Sequence, residues 1–293
     1  MISLSQARKL VAASQTDHRR SAIVRAVPLA LLMLAGVLLL SDPESSGTTL
    51  LVVLAVGGLM GWTWLQAQRQ REALARLGAA GEAMQLQDFA DAESILVPLL
   101  GTPHRAELRG SVRTEALLML GALAEEDRQF DAAQFVYEAV LAEEAVNPVH
   151  QCAAWIGSAG AMLRTDQLAD AVDLIATLER RTLPDRLTAH VELLALYRDV
   201  VMGHADRAVE SADRRRDLFR ANLSTRAGYG YGLLALGFDR AGDDGRARSF
   251  WQDATMLIPV DQLVHRFSEI KPLADRWAAA RNPFEPTERV HEK

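Results

Sequence analysis

Two stretches of the chain, residues 26–40 and 50–66, are almost free of charge, while the rest mixes apolar and polar positions at helical spacing. At 1.5 Å per residue, a helix over residues 22–40 covers roughly 28 Å, close to the hydrocarbon thickness of a bilayer. Arg25 then falls at the edge of the first run, and Trp62 and Trp64 close the second as interfacial anchors. Residues 41–49 form a short polar turn without Lys or Arg. Arg8, Lys9, Arg19, Arg20 and Arg25 precede the first run, and Arg69, Arg71 and Arg76 follow the second. The positive-inside rule places both flanks in the cytoplasm. The pattern thus predicts a cytoplasmic segment 1–20 and a transmembrane hairpin over 21–66. Its spans are about 22–40 and 49–66, and it sits in the lipid bilayer of a bacterial inner membrane with both termini cytoplasmic. Gly57 and Gly61 form a GxxxG on the second run, suited to close packing against Ala30, Ala35 and Gly36 or to a dimer seam.

Beyond residue 67 the chain repeats itself. Short corners recur as Phe89-Ala90-Asp91-Ala92, Phe130-Asp131-Ala132-Ala133, Leu168-Ala169-Asp170-Ala171, Ala205-Asp206-Arg207-Ala208 and Asp244-Gly245-Arg246-Ala247. Their final alanines are spaced by 41, 38, 37 and 39 residues. An apolar helix of about four turns precedes each corner and another follows it. Pro103, Pro148, Pro184 and Pro259 recur in the same frame, and proline ends helices. A small residue where two helices cross lets the backbones approach, and larger residues fill the space beside it. The predicted fold is all-α: the hairpin, then about five helical pairs stacked as an α-solenoid over 67–280. An amphipathic capping helix carries Leu263, Val264, Phe267, Ile270, Leu273 and Trp277, and 281–293 is a flexible tail.

The positions inside the pairs carry a resemblance. The second unit holds Leu117, Leu120, Gly121, Ala124, Ala133, Tyr137 and Val140. The third has Trp155, Ala159, Met162, Ala171 and Ile175, and the last has Tyr231, Leu234, Ala235, Phe238, Gly242, Ala247, Trp251 and Ala254. These resemble the packing positions of the tetratricopeptide repeat family over about 190 residues. The fourth unit departs from the pattern with Glu192 at the leading aromatic position, and the units exceed the family's usual length of about 34 residues. The resemblance implies a TPR-like solenoid whose first helices line a groove for a peptide or protein. The implied groove residues are Glu115, Leu118, Ala122, Glu125 and Glu126 in the second unit and Ile156, Gly160, Leu163 and Arg164 in the third. The fourth contributes His190, Leu193, Tyr197 and Val201, and the fifth Tyr229, Leu236, Asp239 and Arg240. The alternative is that Leu193, Tyr197 and Leu236 pack on neighbouring helices or on the capping segment.

Composition narrows the chemistry. The formal net charge is −6, and the only dense basic stretch, Arg207 to Arg220, is interleaved with Asp213 and Asp217. An acidic chain of this kind is a poor nucleic-acid binder. The basic stretch reads as a solvated face paired with Asp206, Asp213 and Asp217, or as a contact for acidic lipid. One cysteine, Cys152, excludes an intramolecular disulfide, and His150 beside it lacks the further ligands of a metal site. No phosphate-binding glycine loop, HExxH or GxSxG is present, so no catalytic residue, metal or cofactor is expected. The sequence therefore predicts a non-catalytic, membrane-anchored interaction scaffold with a protein or peptide partner. The rivals are a structural homo-oligomer and an enzyme with a dispersed site.

Overall fold

The computed structural model describes residues 2–14, 33, 46–101, 110–143, 146–165 and 167–281. Among the described residues every regular element is helical and none is a strand. The chain divides into two compact units, Met1–Ala161 and Met162–Lys293.

The first unit contains α1 (Leu4–Ser14), α2 (Ser46–Gln85), α3 (Phe89–Gly101), α4 (Gly110–Glu126), α5 (Phe130–Leu141) and α6, which starts at Pro148 and ends at Met162. Helix α2 folds back on α3 and α4 on α5, while α2 and α4 lie side by side. Its core is built from short residues at the crossings and leucines between them. Ala80, Ala92, Ala116, Ala124, Ala133, Leu96, Leu117 and Leu120 are all fully buried. The sequence predicts residues 1–20 only as a cytoplasmic segment ahead of the hairpin. In the structure Ala7, Leu10 and Val11, at helical spacing, bury α1 against α3 and α5, and Ile2 just before the helix is buried with them. Polar contacts fix it there: Arg113 Nε donates to Ser14 Oγ at 3.1 Å, the Ile2 N–H donates to Asp127 Oδ2 at 3.3 Å, and Arg8 lies over the Phe135 ring.

The second unit contains α7 (Leu168–Glu179), α8 (Asp185–Val201), α9 (Ala205–Val209), α10 (Ala212–Asn222), α11 (Ala227–Arg240), α12 (Asp244–Leu257), α13 (Val260–Arg266) and α14 (Lys271–Arg281). A single 3-10 turn over Ser268–Ile270 joins the last two. Helices α11 and α12 form the most extensive pair, and Leu233, Leu234, Ala235, Ala247 and Ala254 on them are all fully buried. The second helix of the α8 pair is broken into α9 and α10, and both pieces pack on α8 and α11.

All five repeated alanines are completely buried. Four corners also reuse one turn. Gln87, Arg128, Gly203 and Gly242 adopt φ of 63°, 58°, 76° and 82°, the left-handed conformation that ends a helix. The next amide in each case donates to the carbonyl five residues back, as Asp88 to Ala83, Gln129 to Ala124, His204 to Asp199 and Asp243 to Phe238. Each repeated alanine then donates its N–H to the carbonyl of that same corner residue. The turn closes the old helix and opens the next one around a single pivot.

The predicted membrane hairpin requires correction. Among the described residues, no helix is long and apolar enough to cross a membrane. The second predicted span, 49–66, is the front half of α2, a 40-residue helix. Its aliphatic run is diluted by Gly57, Gly58, Gly61, Thr63 and two tryptophans. The helix then continues without a break through Arg69, Arg71, Glu72 and Arg76 to become the first helix of the first pair. The first predicted span, 22–40, lies outside the described residues apart from Met33, as do residues 41–45, Pro103 and residues 282–293 of the predicted tail. The inner-membrane anchor, and the topology built on it, are not carried forward.

Candidate interaction surface

In the first unit the expected groove residues separate. Glu115, Leu118, Ala122 and Glu126 occur at steps of three and four and share one face of α4. Glu115 is exposed, and the other three are half-buried. Met119 on the same face reaches across to α2, where its Cε comes within 3.3 Å of the position a Cβ on Gly81 would take. Leu74 and Gly78 lie in line with Gly81 on α2 and are exposed, and nothing stands within 4 Å of a Cβ built on Gly78. The two first helices thus frame a shallow apolar strip with carboxylates at both ends. Glu125 points elsewhere: it is buried and accepts a 2.8 Å hydrogen bond from Tyr137 Oη.

In the second unit the chain fills the face itself. Tyr197 and Leu236 are buried. The Arg164 guanidinium stacks over the Tyr197 ring at 4.6 Å and over Phe267 at 5.2 Å. The Phe267 ring also meets Tyr197 at 4.9 Å and the edge of Tyr229 at 5.9 Å. Tyr197 Oη donates to Glu269 Oε1 at 3.0 Å. Burial, with the Glu269 carboxylate adding to it, pushes the Tyr197 hydroxyl up to about 12, so it remains a donor at neutral pH. Three predicted groove residues (Arg164, Tyr197 and Tyr229) therefore do converge, and they converge on the chain's own capping segment. Asp239 pairs with Arg276 of α14, and Arg240 donates to the Val200 carbonyl of α8. His190 Nδ1 lies 2.7 Å from the Arg186 carbonyl. Burial, aided by Arg226 and Arg186, pulls His190 below its ordinary value and keeps it neutral at pH 7.

Three arginines of the basic stretch pair within the chain, with partners other than those their own sequence neighbours offered. Arg214 and Arg215 both bind Glu192, and Arg216 binds Asp253. Arg215 is buried; it also donates to the Ala208 carbonyl at 2.8 Å and stands 3.9 Å from the buried Asp199. Burial alone would raise Glu192, but the two guanidinium hydrogen bonds outweigh it and hold the carboxyl below its ordinary value. Glu192, the residue that broke the repeat pattern, thus takes up the charge of α10.

Among the described residues no three His, Cys, Asp or Glu side chains gather as a metal site. His150 is half-buried and Cys152 is buried on α6. A run of exposed apolar side chains lies on the front half of α2, where Val53, Leu54, Met60 and Trp64 are 63–68% exposed.

No protein-family model, no curated protein and no solved structure matches the chain. The tetratricopeptide resemblance therefore assigns no family, and it is set aside. Physical features separate the chain from that pattern: units of 37–41 residues, a second helix broken at Glu210–Ser211, and an ion-paired glutamate at a leading aromatic position.

Proposed function

We propose that this chain is a non-catalytic interaction scaffold, in which repeated helical pairs stack as a solenoid and present first-helix faces to a protein or peptide. What supports this reading is the reuse of one helix–turn–helix unit, with the same left-handed corner and the same buried alanine, at near-constant spacing. Such a unit cannot bury its apolar face alone, so stacking is the way it becomes stable, and stacking aligns first helices side by side. The α2–α4 strip is the part of that surface left open. Leu74, Leu118 and Ala122 offer apolar contact, and Glu115 offers charge at one end. A short amphipathic helix with a basic flank fits that arrangement.

The test is quantitative capture from a native lysate by the full chain, wild type against Leu118→Arg. Leu118 is half-buried and its inner side packs against the core of the first unit, so the variant is expected to keep its helicity with a modestly lowered melting point. A specific protein recovered by wild type and lost with Leu118→Arg is the expected outcome. Identical recovery by both proteins would refute the proposed surface.

A further inference from the structure

The front half of α2 presents two unlike faces. One is the line Leu59, Gln66 and Gln70, which is half-buried and continues into the buried Ala73, Leu77 and Ala80 that pack in the core of the first unit. The other lies half a turn away and carries Val53, Leu54, Met60 and Trp64, the residues 63–68% exposed. At the centre of that second face are Gly57 and Gly61, and a Cβ built on either meets nothing within 4 Å.

We infer that this face is a self-association surface, and that its occupant is the same face of a second copy of the chain. The area and the charge argue for that occupant. The four exposed side chains with the glycine surface between them offer on the order of 500 Å² per copy. Two copies thus bury about 1,000 Å², the lower bound for a specific interface. A contiguous apolar patch of this size matches the largest that a monomer ordinarily carries, and such patches are often functional. No charged residue occurs from Ser46 to Gln68, so an identical helix meets no like charge along the contact and leaves none desolvated. A two-fold pair places each patch on its equal, which is the simplest way for one surface to be both donor and acceptor of the contact. The open backbone at Gly57 and Gly61 lets the axes come close, so that Val53, Met60 and Trp64 of each copy reach the other helix. This surface is separate from the α2–α4 strip, and Leu118→Arg leaves it intact.

The experiment uses the full chain in a Cys152→Ala background, with single cysteines at Met60 and, on the opposite face, at Leu59. Oxidative cross-linking in the expressing cells is read on non-reducing gels, and the mass of the purified chain is measured by light scattering. The expected result is a mass twice the 32.1 kDa of one chain, with disulfide dimers formed through position 60 and not through position 59. Gly57→Leu with Gly61→Leu fills the face, and a Cβ at either position meets nothing within 4 Å among the described residues. It is expected to leave helicity unchanged and to weaken association at least tenfold. Two results overturn the inference. One is a monomer at all concentrations, whether the face is then covered by residues 26–40 of the same chain or floats the protein on phosphatidylcholine vesicles. The other is a dimer that survives the double leucine substitution or that cross-links equally through position 59.

Discussion

Gly157→Ala sets two well-known effects against each other, and the geometry decides the sign. Alanine in place of glycine within a helix ordinarily stabilises by up to about 1 kcal/mol. At Gly157 the new Cβ would stand 2.3, 2.4 and 2.7 Å from three atoms of the Tyr137 ring, where ordinary contact begins at 3.4 Å. The ring cannot swing away freely. It is buried, its opposite side closes on Gly121 at 2.6 Å from a Cβ built there, and its hydroxyl is held by the buried Glu125 at 2.8 Å. The substitution therefore shifts α6 or pulls Tyr137 off Glu125. Overpacking costs about 1–3 kcal/mol, and loss of a buried hydrogen bond to a charged acceptor adds about 1.5–3 kcal/mol. After the helix gain is subtracted, a net destabilisation of about 1.5–5 kcal/mol is expected. Urea unfolding followed by circular dichroism would read it as a lowered midpoint. Gly78→Ala, in open space on α2, is the control and should be neutral or stabilising. In a Tyr137→Leu background the penalty for Gly157→Ala should shrink to under about 1 kcal/mol, because the clashing ring is gone. A Gly157→Ala protein as stable as wild type would refute the claim that the ring and the two glycines form one packed contact.

The completely buried Ala133 sits at a helix crossing, so Ala133→Arg forces volume and an unpaired charge into the core, and a loss of about 3–5 kcal/mol should appear in the same unfolding experiment. Arg128 holds φ 58° at an exposed corner, so Arg128→Gly should raise the unfolding free energy by about 0.5–1 kcal/mol, and a decrease would contradict the turn described. The Glu192 carboxyl is held below its unfolded value of 4.5, so its contribution is present above pH 4.5 and is lost as pH falls through the folded value; stability measured from pH 7 downward should drop more steeply below 4.5 in wild type than in Glu192→Gln. Tyr197→Phe removes the donor to the half-buried Glu269 and should cost about 1–3 kcal/mol, read by thermal melting, while a neutral result would place that carboxylate in water.

The sequence by itself determined the local and periodic parts of this protein. The all-helical class, the pairing of helices and the five crossing positions follow from spacing alone, because a small residue recurring every 37–41 positions has one economical use in a helical chain. Ala92, Ala133, Ala171, Ala208 and Ala247 are each fully buried for that reason. Even the corners were legible in part, since Gly203 and Gly242 fall where a left-handed residue ends a helix, although Gln87 and Arg128 carry no such mark. What depended on distant parts of the chain was not legible. The apolar stretch 50–66 looks like a span when read as a window, yet in the structure it is one end of a helix whose other end is core, and a window does not see that continuity. Residues 2–11 are too short a run to announce a docked helix, and their partners on α3 and α5 lie some hundred residues away. The arginines of α10 have acids beside them in sequence, but α8 supplies Glu192 and α12 supplies Asp253, because rotation about a helix axis sends neighbouring side chains in different directions. The tyrosines expected to line a groove, Tyr197 and Tyr229, lie on α8 and α11. Whether such a ring faces solvent or its own chain is settled by where residues 260–270 come to rest, and here Phe267 packs on both rings while Glu269 accepts the Tyr197 hydrogen bond.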